Sequence, residues 1–233
     1  MAVNLLASRS LFNARNGFSG GNKALIQSTA ICKTKRKFSK GKNNLTKKLE
    51  GFDKYLTVAG FRNVRVNDVD RFFLTVKELA GEACVQFFDA DSIAGVDHLR
   101  FAAINALNAF KNKLNVSNSV TMETLLYASG QHQIKDSLRL LGIYSKSTRV
   151  AVLILTETEE QASAIIDCVS ELLRGKRDDS VIEFTDAKMN RVKRLFGISQ
   201  LEIETKMTKR KRGEEEALAD LVIEHMALLT VQS

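Results

Sequence analysis

Apolar residues recur with regular periodicity from about Tyr55 onward, and the period switches repeatedly between short runs and helical spacing. Tyr55 to Phe61 reads as a strand. Asp68 is placed to cap a helix whose apolar side carries Val69, Phe72, Phe73, Val76 and Leu79. Cys84 to Phe88 reads as a second strand; Asp89, Asp91 and Ser92 after it supply capping oxygens for a long helix. Its expected buried stripe is Ile93, Val96, Leu99 to Phe101, Ile104, Leu107 and Phe110. Arg149 to Thr156 is an apolar run suited to the inside of a sheet. Thr158 and Gln161 have capping-box spacing and open a helix running to about Arg174. Ser180 to Phe184 reads as a fourth strand, and Thr185 caps a helix of Met189, Val192, Leu195 and Phe196 that Gly197 stops. A terminal helix covers Glu214 to Leu229, its acidic first turn complementing the helix dipole.

The most informative stretch is Ser117 to Gly142, which predicts a helix, a tight corner and a second helix. Asn118 or Ser119 caps the first, whose pattern is Val120, Thr124, Leu125, Tyr127 and Ala128. Ala128, Ser129 and Gly130 end it, since glycine readily takes the left-handed conformation that closes a helix. Ile134, Leu138, Leu141 and Ile143 form the second stripe, while Gln131, His132, Gln133, Lys135 and Asp136 crowd the corner. Strands alternating with helices predict an α/β or α+β layer architecture, without fixing strand order.

Charge divides the chain in two. The whole carries +8, yet residues 1–48 hold 11 of the 35 basic residues and no acidic one. The remainder has 24 basic against 27 acidic residues, a net of −3, so the basic character belongs to the first segment. Residues 1–49 lack sustained periodicity and are expected to form a disordered basic arm; a transit peptide or a misplaced start site are alternatives. Residues 50–233 are expected to be one domain. Cys32, Cys84 and Cys168 include no C-x-x-C pair, which argues against a zinc site or disulfide scaffold and for a reducing compartment such as the cytosol. No apolar run approaches the ~20 residues of a membrane span.

Catalytic signals are few. There is no phosphate-binding glycine motif and no G-x-S-x-G. His98 and His225 lie within predicted helices without a second metal ligand one turn away, and read as ordinary helix histidines. Asp89 and Asp91 could separate their pKa values for acid/base work, with His98 nearby in sequence, but capping is the simpler role. Lys209 to Arg212 form a basic cluster on the expected loop before the terminal helix; they suit phosphate contact, a nuclear address or a solvated linker. No catalytic residue, cofactor or metal is expected.

The run LLYASGQHQIKDSLRLLGI resembles the signature of the small accessory subunit of the KEOPS complex, the PRPK-binding (Cgi-type) family. VQFFDADSIAGVDHLRFAAINALNAF, RVAVLILTETEEQASAIIDCV and DDSVIEFTDAKMNRVKRLFGI are similar to further blocks of that family in the same order, so the resemblance spans about Lys54 to Ile198. It implies a four-stranded mixed or antiparallel sheet surrounded by helices. It also implies a noncatalytic subunit of the assembly that makes threonylcarbamoyl-adenosine in tRNA. Such a subunit binds and stimulates the KEOPS kinase subunit, helps hold the tRNA CCA end, and meets the remaining subunits indirectly. Tyr127, Ser129, Gly130, Gln131, His132, Gln133 and Lys135 are then the tRNA-binding candidates. At His132 family members commonly show Arg or Lys, which weakens the expected charge attraction. Leu218, Leu221, Val222 and Met226 of the terminal helix exceed what one core-facing stripe can cover, and are the candidates for kinase contact. The alternative reading is a free-standing nucleic-acid-binding protein acting through its basic arm, and no membrane partner is expected.

Overall fold

The structure is a computed structural model that describes residues 46–210 and 213–229. The expected arm lies outside the described residues except for its last four, and those four correct its boundary. Thr46–Leu49 is a strand, β1, paired antiparallel with Lys54–Arg62, β2, from Thr46 opposite Thr57 to Leu49 opposite Lys54. The Thr46 and Thr57 hydroxyls lie 3.0 Å apart, and Leu49 is buried in the core. Two solvated lysines in four residues hid this strand, as edge strands often carry lysine.

Cys84–Asp89 forms β3, Arg149–Thr156 β4 and Lys176–Arg177 β5. The order is β1-β2-β4-β3, with β5 pairing to the far end of β2, and each pairing is antiparallel. Among the described residues the sheet is antiparallel and surrounded by helices, as expected, with five strands rather than four. Because β4 runs antiparallel to both neighbours, β2 and β3 run the same way, linked by the helix α1, Val69–Ala80. Asp68 caps α1 by accepting a hydrogen bond from the Arg71 amide.

Both faces of the sheet are covered. Phe61, Val85, Phe87, Val152 and Ile154 point to one face, against α1 and α5, Glu159–Leu173. Leu56, Val58, Phe88, Leu153 and Leu155 point to the other, against α2, Gly95–Lys111, and α3, Val120–Ser129. Alternate residues of one strand thus serve separate apolar layers, which is why β4 reads as nearly continuous hydrophobic sequence.

The expected strand over Ser180 to Phe184 does not form. Asp179–Ile182 is a 3-10 turn, capped by the Asp178 carboxylate, which accepts from the Ser180 amide and hydroxyl. The turn is laid across β2 at Gly60: the Asp178 amide donates to the Gly60 carbonyl at 2.9 Å, and the Gly60 amide to Asp179 Oδ1 at 2.8 Å. Val181 and Ile182 bury their side chains in the core from this crossing, so their apolar run serves packing rather than pairing.

The long helix differs in its buried face. His98, Leu99, Ala102, Ala103, Ala106 and Ala109 point inward, Ile104, Leu107 and Phe110 are half-buried, and Phe101 faces solvent. Small side chains let α2 and α3 approach closely, so the bulkier stripe flanks the contact. Asp89 and Asp91 do not cap it either. Asp89 caps the preceding turn, Ala90–Ser92, and is ion-paired to Arg191 at 2.8 Å; Asp91 is paired to Arg149 at 2.8 Å.

After α6, Asp186–Phe196, the chain forms α7, Gln200–Arg210, where a loop was expected. Ser199 and Glu202 start α7 as a reciprocal pair: the Ser199 amide donates to the Glu202 carboxylate, and the Glu202 amide to the Ser199 hydroxyl. The basic cluster therefore begins on the end of a helix, and its Lys211 and Arg212 lie outside the described residues. This helix also corrects the terminal one, α8, Glu214–Leu228. Leu218, Leu221 and Val222 are buried in a cluster with Met189, Val192 and Ile203, while Met226 enters the core beneath the sheet. The apolar surplus of α8 is covered from within the chain by α6 and α7, so these four side chains present no exposed patch to a kinase.

A candidate nucleic-acid interface at the helix corner

The corner is built by short-range chemistry on α3 and the helix after it, α4, Ile134–Leu141. The Ser119 hydroxyl caps α3 by accepting from the Met122 amide at 3.2 Å. Gly130 closes the helix in the left-handed region, at φ 62°, with its amide on the Tyr127 carbonyl at 3.1 Å. The next amide, Gln131, reaches back to Leu126 at 3.2 Å. That geometry turns the chain within one residue, and α4 starts at Ile134.

Two serines then bind the helices together. Ser129 Oγ donates to Ser137 Oγ at 2.7 Å, with the Leu126 carbonyl at 3.0 Å as a second acceptor for the same proton, and Ser137 Oγ donates to the Gln133 carbonyl at 3.1 Å. Both are buried, and a longer side chain at either would push α3 and α4 apart. His98 fixes the corner from the other side. Its Nδ1 accepts from the Ala94 amide at 3.0 Å and its Nε2 donates to the Ala128 carbonyl at 2.7 Å, so the ring is held as one neutral tautomer. Burial pushes the His98 pKa down to about 4, opposed by the bond to Ala128. The ring also meets Phe196 edge-on. With both nitrogens committed to backbone, and Asp89 and Asp91 each bound to an arginine, these three groups do not converge on a substrate position.

The loop between α2 and α3 is held by one carboxylate. Glu123 is buried and accepts from the Val116 amide at 3.1 Å and the Ser117 amide at 2.7 Å. Those bonds hold the loop whose Leu114 and Val116 side chains are 62% and 60% exposed.

Two shallow recesses open beside the corner. The first, of about 160 Å³, is lined by Leu114, Val116, Glu123, Leu126, Tyr127, Gln131, His132 and Leu229. The second, of about 250 Å³, is lined by Ser129, Gly130, Gln131, Leu195, Phe196, His225, Leu228 and Leu229. The two share Gln131 and Leu229 as a dividing wall.

The residues expected at this site fall into three groups. Gln131 and His132 reach the recesses from the surface, and Gly130 forms part of the second floor. Tyr127 is buried, with its ring behind the first recess, and the Ser129 hydroxyl is occupied in joining the helices. Gln133 and Lys135 are exposed on the start of α4 but line neither recess. The sequence reading missed Leu114, Val116, Glu123, Phe196, His225 and Leu228. Leu114 and Val116, two apolar side chains in a polar loop, are the one visible hint; Glu123 lies on α3 itself, one turn before Tyr127, while Phe196, His225 and Leu228 come from distant positions and carry no local signal.

Among the described residues no group of three or more His, Cys, Asp or Glu side chains is placed to hold a metal. No described helix is long and apolar enough to cross a membrane. The described residues thus form an α+β domain whose α3–α4 corner is flanked by two shallow recesses. The family described as Kinase binding protein CGI-121 matches residues 61–230, and the chain belongs to it. It is 30% identical over 143 residues, 61% of this chain and 85% of the relative, to the Regulatory protein Cgi121 of Methanocaldococcus jannaschii.

Proposed function

We propose that this protein is a noncatalytic subunit of a cytosolic KEOPS-type assembly, binding and stimulating its kinase subunit and holding the single-stranded 3′ end of tRNA at the helix corner. Family membership and a relative bearing the name of a regulatory protein support the regulatory part. The observation that carries the RNA part is the pair of recesses meeting at Gln131 on the segment with the family-like signature. Unpaired RNA is gripped by stacking and by hydrogen bonds to splayed bases, and the small recesses combine apolar side chains such as Leu126 and Phe196 with the polar groups of Gln131, His132 and His225. The kinase contact then falls on exposed surface other than the apolar side of α8, which is internal.

The test is tRNA binding with and without the CCA end, by fluorescence anisotropy at fixed salt. The intact end should be preferred. His132→Ala should weaken that preference and His132→Arg strengthen it about fivefold, the gain of one cation near a phosphate. Equal affinity for the two RNAs overturns the assignment. A chain starting at Thr46 that loses all RNA binding while keeping its fold would favour the free-standing binder acting through the basic segment. Pull-down of the kinase subunit with folded variants tests the other half.

A further inference from the structure

The outer face of α5, on the side of the sheet away from the corner, carries an acidic stripe. Glu160, Ala164, Asp167 and Glu171 are exposed and recur at four, three and four residues, so they line up along one side of the helix. The 15 residues of α5 hold four carboxylates and no basic side chain. Cys168, half-buried one turn from both Ala164 and Glu171, lies beside the stripe and is disulfide-bonded.

The other cysteines point to what covers this face. Cys84 is a free thiol, buried under Thr121 of α3, and burial pushes its pKa up to about 11, so it forms little of the thiolate that disulfide exchange needs. Cys32 is the one cysteine left in the chain. It lies outside the described residues, immediately before residues 33–42, which hold six basic residues and no acidic one. A basic stretch beside one cysteine thus matches an acidic stripe beside the other.

The described chain begins within reach of that stripe. Thr46 pairs with Thr57 of β2 on the α5 side of the sheet, because Thr57 alternates with Leu56 and Val58, which face α2 and α3. From there α5 passes over β2: it starts just after Thr156, the partner of Tyr55, and ends where the Leu173 carbonyl accepts from the Arg65 amide. The helix is ~22 Å long, at ~1.5 Å per residue. The ~14 residues from Cys32 to Thr46 span up to ~46 Å when extended, enough to cross the whole stripe.

We infer that the outer face of α5 is the dock for the basic stretch at residues 33–42, an intramolecular cover that Cys32 and Cys168 close covalently under oxidation. Both partners of the contact on the arm side precede the family match at residues 61–230, so the cover is an addition to the family domain. It is independent of the RNA-end reading. The bond forms by exchange with a small disulfide such as oxidised glutathione: the two protein thiols are oxidised, the small disulfide is reduced to two thiols, and both protons pass to them. Under reducing conditions charge alone holds the cover, which yields to a competing polyanion; once oxidised, the basic segment is withheld from nucleic acid.

The test uses the full chain. After incubation with oxidised glutathione and alkylation of the remaining thiols, non-reducing peptide mapping should give one cross-linked pair carrying Cys32 and Cys168, in a protein of single-chain mass. A pair containing Cys84, no pair at all, or a doubled mass overturns the inference. With dithiothreitol at low salt, trypsin should cut within residues 33–42 about tenfold faster in the triple variant Glu160→Gln, Asp167→Asn, Glu171→Gln than in wild type, the loss of three exposed charge contacts. Each single substitution should give part of that acceleration, and thermal melts check the fold. A control triple at other exposed carboxylates, Asp97→Asn, Asp186→Asn, Glu204→Gln, should be cut as wild type is. Equal rates for wild type and the α5 triple, or the same acceleration in both triples, also overturn the inference.

Discussion

The Ser129 hydroxyl donates to the Ser137 hydroxyl at 2.7 Å across the corner between α3 and α4, and the Ser137 hydroxyl donates in turn to the Gln133 carbonyl at 3.1 Å. The pair is buried, so removing one hydroxyl leaves the other with a lost partner. Ser129→Ala and Ser137→Ala should each destabilise by about 1–2 kcal/mol, and the double variant by less than the sum. Denaturant melts of the single and double variants measure the coupling; strict additivity would mean the contact contributes nothing.

Gly60 tolerates no side chain. A β-carbon there would stand 2.5 Å from the Asp178 carbonyl oxygen and 2.8 Å from Val181 Cγ2. The obstruction includes backbone, which cannot swing aside, so Gly60→Ala should lift the 3-10 turn from β2 and destabilise by about 3 kcal/mol or more. The same change at Gly130, with nothing nearer than 4.0 Å, meets only the left-handed backbone penalty of about 1–2 kcal/mol. Chemical denaturation of the two variants should rank them in that order.

His98 makes stability depend on pH in a definite sense. Its folded pKa of about 4 lies below the ordinary 6.5. Between those values the unfolded chain binds the proton and the folded one does not, so stability rises with pH through this window. Acidification from pH 6.5 to 4 should remove on the order of 3 kcal/mol through this residue. Below pH 4 both states are protonated and the contribution levels off. His98→Gln, which can still accept from the Ala94 amide and donate to Ala128, should flatten this part of the pH profile. An unchanged profile would mean that other groups titrate there.

Leu218→Arg should unfold the protein or lower its melting temperature sharply, because the site is buried and a lone charge cannot be hydrated there. Leu201→Arg, at 72% exposure on α7, should leave the fold intact and serves as the control. Circular dichroism melts separate the two. A folded Leu218→Arg that had lost kinase binding would return α8 to the partner surface.

Local signals carried much of this molecule. Apolar spacing and capping residues marked β2 to β4, the helices capped by Asp68, Ser119 and Thr158, and the left-handed closure at Gly130, since each depends on contacts within about four residues. Even α7 has a local signal in Ser199 and Glu202, whose spacing is that of a capping box. Distant contacts decided the rest. Whether Val181 and Ile182 pair or pack depended on a turn crossing Gly60, about 120 positions earlier in the chain. Whether the apolar sides of α8 are internal depended on α6 and α7 folding over them. The recesses exist because loop, corner, α6 and α8 converge from positions 114 to 229, and a one-dimensional pattern holds no distance between residues so far apart.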